Sequence, residues 1–408
     1  MLKQERTEFL RLAAAIALVA GGLPIATAQT TAPSPVRQAL EPFVEGGSLA
    51  GAVAVYSRNG EILCRESIGY RDLESRTAMT EDCLFWIASM TKPITAIGVM
   101  MLQEEGKLHV DDPVEKHLPE FRGQLLQQER SAERTVLVKP RRPVTIRDLL
   151  THTSGLVSQS PLDGNALDVL SLREAVISYG LSPLLFQPGS KWSYCNPGIN
   201  TLGRLIEVAS GEEYSAFLQQ RLFTPLGMAD TTFWPTEAQL ARLATSYDQK
   251  AGGPLTRTTI RYLSEPYSNQ KRAPLAAGGL FSTAGDLIKL YTMLLNGGES
   301  AGKRYLQAET LARMTMDHAG GLKAGFTDGM GMGLGFQVVR EPTGVTAMLS
   351  PGTYGHGGAH GTQGWIDPEK KAIYILLIQR AGLPNGDASP MRLAFQKAAV
   401  KLPGQVTP

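Results

Sequence analysis

Two strand pairs, one near each end of the chain, restrict its fold more than any other feature. "LAGAVAVYS" runs from Leu49 to Ser57, and "EILCRESIGY" returns from Glu61. Asn59-Gly60 between them tolerates positive φ at both positions, the strongest two-residue hairpin cue. Near the other end, "GTQGWI" and "KAIYILLIQR" flank Asp367-Pro368-Glu369-Lys370. The run from Ala372 to Ile378 is almost wholly apolar, which predicts a strand buried on both faces. Helical patterns lie outside both pairs, at Pro35 to Phe43 and at Met391 to Lys401. The two pairs must share a sheet to bury their apolar faces, and the middle of the chain then becomes an insertion beside it. The expected class is α/β of the α+β type, an antiparallel sheet flanked by terminal helices with a mostly helical region grafted on. The expected sheet part is residues 35–88 with 275–402, and the helical part is 89–274. A cleft between them is the natural place for a site.

The middle segments carry helix signals. Ile94, Ile97 and Met101 recur at helical spacing, and Gly106 follows as a stop. Thr145 with Asp148 opens "TIRDLLTH" as a capping box, and Thr283 with Asp286 opens "AGDLIKLYTMLLN". Asn196-Pro197 places Asn as a cap and Pro at the first helical position of "PGINTLGRLIEVAS". Residues 127–143 combine several arginines with Pro140 and Pro143, which reads as a solvated loop without stacking aromatics.

Bulk properties exclude several classes of partner. Net charge is +2 with 19% charged residues, so no electrostatic footprint points to nucleic acid. Lys3, Arg6 and Arg11 bracket a basic start, Leu12 to Ala20 is apolar, and Ala26-Thr27-Ala28 has the small residues a signal peptidase accepts. Residues 1–28 therefore read as a signal peptide and 29–34 as a flexible leader. The apolar run is too short, and too interrupted by Gly21, Gly22 and Pro24, for a span of about 20 residues. Export to the periplasm or the medium is expected, without stable membrane insertion. The only cysteines are Cys64, Cys83 and Cys195, which make neither a disulfide framework nor a metal pattern. Whether Cys64 and Cys83 pair is left open.

Chemistry concentrates in "FWIASMTKPIT". If a helix begins near Ser89, Lys92 lies one turn along on the same face. Against Phe85, Trp86 and Ile87 its ammonium is poorly solvated, which lowers its pKa and lets the neutral amine take the serine proton. A helix N-terminus also offers N–H groups to an oxyanion. The plain alternative is a capping serine beside a solvated lysine. "KWSYCNPG" adds Tyr194, a candidate proton relay, and Asn196, a candidate orienter of a substrate carbonyl. "YGHGGAHGTQGW" adds His356-Gly357-Gly358, glycines that permit close approach of substrate, and the N–H of Ala359 as an oxyanion donor.

In order and character these three segments resemble the serine β-lactamase and penicillin-binding protein superfamily, and within it the class C branch that includes the family VIII carboxylesterases. The resemblance spans roughly Pro35 to Leu402, including "TIRDLLTHTSGL" and "AAGGLFSTAGDLIKLYTMLLNGG". It implies that Ser89 is an acylated nucleophile, Lys92 its activator, and Tyr194 the general acid and base. It also implies that Asn196 places the substrate, that His356, Gly357 and Gly358 form the third motif, and that Ser89 and Ala359 supply the oxyanion N–H groups. No metal or organic cofactor is implied.

The third motif departs from the lactamases, whose lysine and threonine bind a substrate carboxylate. His356 and Gly357 replace them, so a fixed cation and a hydroxyl are lost, each charge-assisted bond being worth ~1.5–3 kcal/mol. The expectation is an esterase on small acyl esters, with a class C-type β-lactamase, a DD-peptidase or a D-amino-acid amidase as alternatives. A non-turnover sensor module is the alternative of another class. The partner is a small ester, lactam or amide, and oligomeric state is not legible. The literal G-x-S-x-G at Gly298 to Gly302 follows a helix rather than a strand, the wrong context for a nucleophile elbow at Ser300. His356 and His360 stand four apart but among glycines, a poor zinc pattern. His152 reads as a structural histidine near a helix end.

Overall fold

The computed structural model describes residues 33–164 and 166–403. The expected signal peptide lies outside the described residues. Eight strands form one antiparallel sheet: β1 (Gly51–Arg58), β2 (Glu61–Asp72), β3 (Thr77–Ala78), β4 (Met330–Met332), β5 (Gln337–Val339), β6 (Tyr354–Gly357), β7 (Gln363–Asp367) and β8 (Ala372–Leu377). Their spatial order is β4-β5-β6-β7-β8-β1-β2-β3. Both expected hairpins form, and β1 pairs with β8 at the centre, with Val53 opposite Leu377 and Val55 opposite Ile375. Asn59 and Gly60 adopt φ of 55° and 81°, as the turn requires.

Alternation along the central strands sorts their side chains between two cores. Ala52, Ala54, Tyr56, Tyr374 and Leu376 face the terminal helices α1 (Pro35–Glu45) and α6 (Pro390–Ala399), which pack on each other. Val53, Val55, Ile373, Ile375 and Leu377 face the larger core. That core is built by α2 (Thr91–Glu104), α3 (Ile146–Leu150), α4 (Asn196–Ser210) and α5 (Ala284–Leu295). With both faces covered, β8 is buried at every position. Every residue of α2 from Thr91 to Leu102 is buried, as befits a helix walled by protein on all sides.

The local signals resolve unevenly. Thr145 and Asp148 form the capping box, and Thr283 accepts the Asp286 N–H. Asn196 is not the cap of α4. Cys195 is, its Sγ accepting the Gly198 N–H at 3.4 Å, and Asn196 becomes the first helical residue. Residues 127–143 are not a plain loop, since Leu126–Arg130 pairs with Thr135–Val138 as a small hairpin. All three cysteines are free and buried. Ser300 sits in a two-residue strand paired with Lys303–Arg304, not in a nucleophile elbow. Among the described residues, no helix is long and apolar enough to cross a membrane.

Candidate active site

The short pair Phe85–Trp86 with Phe281–Ser282 delivers the chain to the start of α2. Ala88 there has φ of 47°, a conformation L-residues rarely hold, which turns the chain sharply just before Ser89. Hydrogen bonds fix the turn: Ile87 N–H donates to Leu280 O, Trp86 Nε1 to Gly278 O, and Thr91 Oγ1 to Ala88 O. Ser89 lies in the 3₁₀ turn Ala88–Met90 and makes no cap on α2, so its hydroxyl is not occupied as a helix cap.

Two side chains converge on that hydroxyl. Tyr194 Oη donates to Ser89 Oγ at 2.8 Å, and Lys92 Nζ lies 3.1 Å from the same oxygen. Lys92 Nζ also donates to Ala277 O at 2.6 Å, and Ala277 is held in turn by the Asn200 amide of α4. Lys92 is fully buried, with no carboxylate partner among the described residues, and desolvation pushes its pKa well below the ordinary lysine value. Its nitrogen rests 4.7 Å from the centre of the Tyr194 ring. Burial holds the Tyr194 phenol well above its usual value, so it stays protonated while it donates. Ser89 thus sits between an amine whose charged form burial disfavours and a phenol whose ionised form burial disfavours.

The Tyr194 ring is held by neighbours that sequence reasoning left out of the site. His152 lies 4.7 Å away between ring centres, and Phe326 lies edge-on at 4.9 Å. His152, with φ of 57°, accepts the Cys195 N–H on Nδ1 at 3.1 Å. It therefore anchors both backbone and ring of the segment carrying Tyr194. Burial keeps His152 neutral, and it pushes His356 down to about 3.

A cavity of about 170 Å³ opens in front of Ser89. Ser89, Tyr194, Asn196 and Ala359 line it, with Trp86, Leu167, Tyr262 and Leu275 as its apolar walls. Among the described residues, no charged side chain lines it. Tyr262 and Leu275 come from the stretch 248–275, whereas no residue of 127–143 reaches it.

The third motif departs from expectation. His356, Gly357 and Gly358 do not line this cavity. His356 Nδ1 lies 2.6 Å from Gly357 O, and Nε2 is buried without a partner. The glycines make room for the chain itself rather than for substrate. A Cβ at Gly358 would meet Ile87 O at 2.7 Å, and one at Gly357 would overlap the Asp387 carboxylate. The strand thereby lies flush against the turn that carries Ser89. Elsewhere, His360 bonds Ser246 and Gln379 on Nδ1, and His318 bonds Arg147 and Arg313 O.

A serine held between a desolvated lysine and a tyrosine, beside a mixed sheet-and-helix fold, defines the class of serine acyl-hydrolases. The chain belongs to the Beta-lactamase family, whose model matches residues 36–398. Esterase EstB of Burkholderia gladioli is 30% identical over 378 residues, covering 86% of this chain and 90% of its own. A putative D-alanyl-D-alanine carboxypeptidase of Escherichia coli K12 is 28% identical, with 77% and 73% covered. Among solved structures, EstCE1, described as a hydrolase with promiscuous acyltransferase activity, superposes with a TM-score of 0.75 at 25% identity over 90% of this chain and 97% of its own. The protein is accordingly a serine hydrolase of this family.

Proposed function

We propose that the protein is an exported carboxylesterase that hydrolyses small acyl esters through an acyl-enzyme on Ser89. The observation that carries this reading is the Ser89 hydroxyl, bracketed by Lys92 and Tyr194 at the floor of an uncharged, largely apolar cavity. Lys92, as the neutral amine, takes the hydroxyl proton while Oγ attacks the ester carbonyl. The N–H groups of Ser89 and Ala359 receive the developing oxyanion. Collapse expels the alcohol oxygen, to which Tyr194 gives its proton, recovering one from Lys92. Water then attacks the acyl-serine by the same steps reversed, with Asn196 steadying the carbonyl. Export is read from the expected signal peptide at residues 1–28, and residues 89–274, read as the helical insertion, supply Leu167, Tyr194, Asn196 and Tyr262 to the cavity wall. The cavity has no cation for the carboxylate of a β-lactam, which supports esters over lactams.

The test is a hydrolysis panel of short-chain nitrophenyl esters, a cephalosporin, D-amino amides and D-Ala-D-Ala peptides, run with wild type and Ser89→Ala. Ester turnover abolished by Ser89→Ala is expected, with little turnover of the others. Ester activity that persists in Ser89→Ala, or a cephalosporin hydrolysed as well as the ester, overturns the reading. Tyr194→Phe should lower kcat by about 10²–10⁴ with little change in KM, because the phenol proton is needed only as the bonds rearrange.

A further inference from the structure

His152 clasps the segment that carries the Tyr194 phenol from both sides. Its carbonyl oxygen accepts the Ser193 N–H at 2.9 Å, and its Nδ1 accepts the Cys195 N–H at 3.1 Å. Between those two bonds its ring lies 4.7 Å from that of Tyr194, and it meets Trp192 edge-on at 6.2 Å. One residue thus touches four in a row, from 192 to 195. It is itself firmly placed, 1% exposed and just beyond α3, whose first turn is closed by its capping box. A ring nitrogen that accepts carries no hydrogen, so the neutral imidazole is the Nε2–H tautomer. Nε2 makes no hydrogen bond among the described residues, which leaves the Nδ1 acceptor and ring packing as the side chain's ties to this segment.

Tyr194 Oη donates to Ser89 Oγ at 2.8 Å, and protonating a departing oxygen demands a donor held to within about 0.5 Å. Of the two rings packed closest on Tyr194, Phe326 is 38% exposed, so the buried wall is His152. We infer that His152 is a positioning residue for the reaction. By accepting the Cys195 N–H and walling the ring, it holds the phenol where it can protonate the leaving alcohol. His152 neither bonds Ser89 nor lines the cavity, and it acts only through Tyr194. The inference rests on the role given to Tyr194 above.

The experiment compares kcat/KM, which reports acylation alone, for ethyl butyrate and para-nitrophenyl butyrate. Ethoxide leaves only with a proton, whereas nitrophenolate leaves nearly unaided, so a misplaced acid penalises the ethyl ester selectively. His152→Asn suits the φ of 57° and keeps a short side-chain acceptor, but it removes the ring wall. His152→Leu keeps bulk and loses the acceptor. The loss on the ethyl ester should exceed that on the nitrophenyl ester by about tenfold in His152→Asn, and by more in His152→Leu. Equal losses on the two esters in a variant that melts cooperatively overturn the inference, as does no loss on either. If His152→Leu does not fold, His152→Asn decides alone. If neither folds, the ¹⁵N resonances of wild type decide: the Nε2–H tautomer is expected, and an Nδ1–H tautomer, unable to accept the Cys195 N–H, overturns the inference. The double variant, His152→Asn with Tyr194→Phe, should be no worse on the ethyl ester than Tyr194→Phe, since no phenol proton remains to be placed. A further loss of about tenfold there overturns the inference. Failure of the acid role itself is a separate result, namely equal losses on the two esters in Tyr194→Phe.

Discussion

Replacing Lys92 by Met is expected to lower kcat/KM on a short-chain ester by about a thousandfold or more while the fold survives. Met matches the length and apolar stem of a side chain that is already 0% exposed and enclosed by α2 and its neighbours. The loss is chemical, because among the described residues no other amine or imidazole bonds the Ser89 hydroxyl: His152 and His356 meet different partners. Lys92→Arg should not rescue activity, since a guanidinium stays charged where a neutral amine is needed.

The same substitution carries a stability signature with a fixed sign. The folded pKa of Lys92 lies well below its unfolded value of about 10.4. Between those two values the unfolded chain binds a proton that the folded chain does not. That penalises folding at neutral pH, and stability from this group rises as pH climbs towards the unfolded value. Lys92→Met removes that slope. Denaturation of wild type and variant between pH 7 and pH 10 should differ in pH dependence by up to one proton, and parallel curves would contradict a neutral Lys92. If Lys92 is the base proposed above, the acid limb of the rate profile is expected to report it rather than His356, which burial pushes down to about 3.

Asp168→Ala is expected to destabilise the protein by about 3–5 kcal/mol in chemical denaturation. Asp168 is 0% and Arg272 4% exposed, and Arg272 Nε meets Asp168 Oδ2 at 2.7 Å. Asp168 also accepts the Ser264 N–H and hydroxyl, while Arg272 reaches the carbonyls of Phe233 and Tyr267. Removing the carboxylate leaves a buried guanidinium without its counter-charge. This cluster pins the segment that supplies Tyr262 and Leu275 to the cavity, and Leu167, next to Asp168, donates its N–H to Tyr262 O at 2.9 Å. Ester KM should therefore rise along with the loss of stability. A double variant, Asp168→Leu with Arg272→Met, should recover part of the stability, because it buries no lone charge. A cost under about 1 kcal/mol for Asp168→Ala would place this pair among weak surface ion pairs.

What could be read from the residues was what depends on nearest neighbours along the chain. The Asn59-Gly60 turn, the capping box at Thr145 and the apolar run of β8 are local, and each formed where its chemistry required. The Cys195 cap was missed because thiols are uncommon as caps, and Asn196 was a better candidate on propensity. Ser89, Lys92 and Tyr194 could be named as a set because the first two lie a helical turn apart and the third occurs in a distinctive segment. The walls of their cavity could not be. Trp86, Leu167, Tyr262 and Leu275 are ordinary apolar residues, and they meet only through the tertiary fold. The glycines of the third motif misled for a related reason. Sequence shows that something approaches them closely but not what, and in both cases it is the protein's own chain.

The pairing of β1 with β8 has a topological consequence. Val53 and Leu377 are neighbours across the ladder although most of the chain separates them in sequence. Closing so long a loop costs entropy before any ladder bond forms, which slows folding in chains rich in remote pairings. The first hairpin to leave a ribosome is therefore without its central partner until nearly all of the polypeptide has been made, and a truncation before Ala372 leaves the edge of β1 bare. Synthesis and completion of the sheet are thus uncoupled until the last moment.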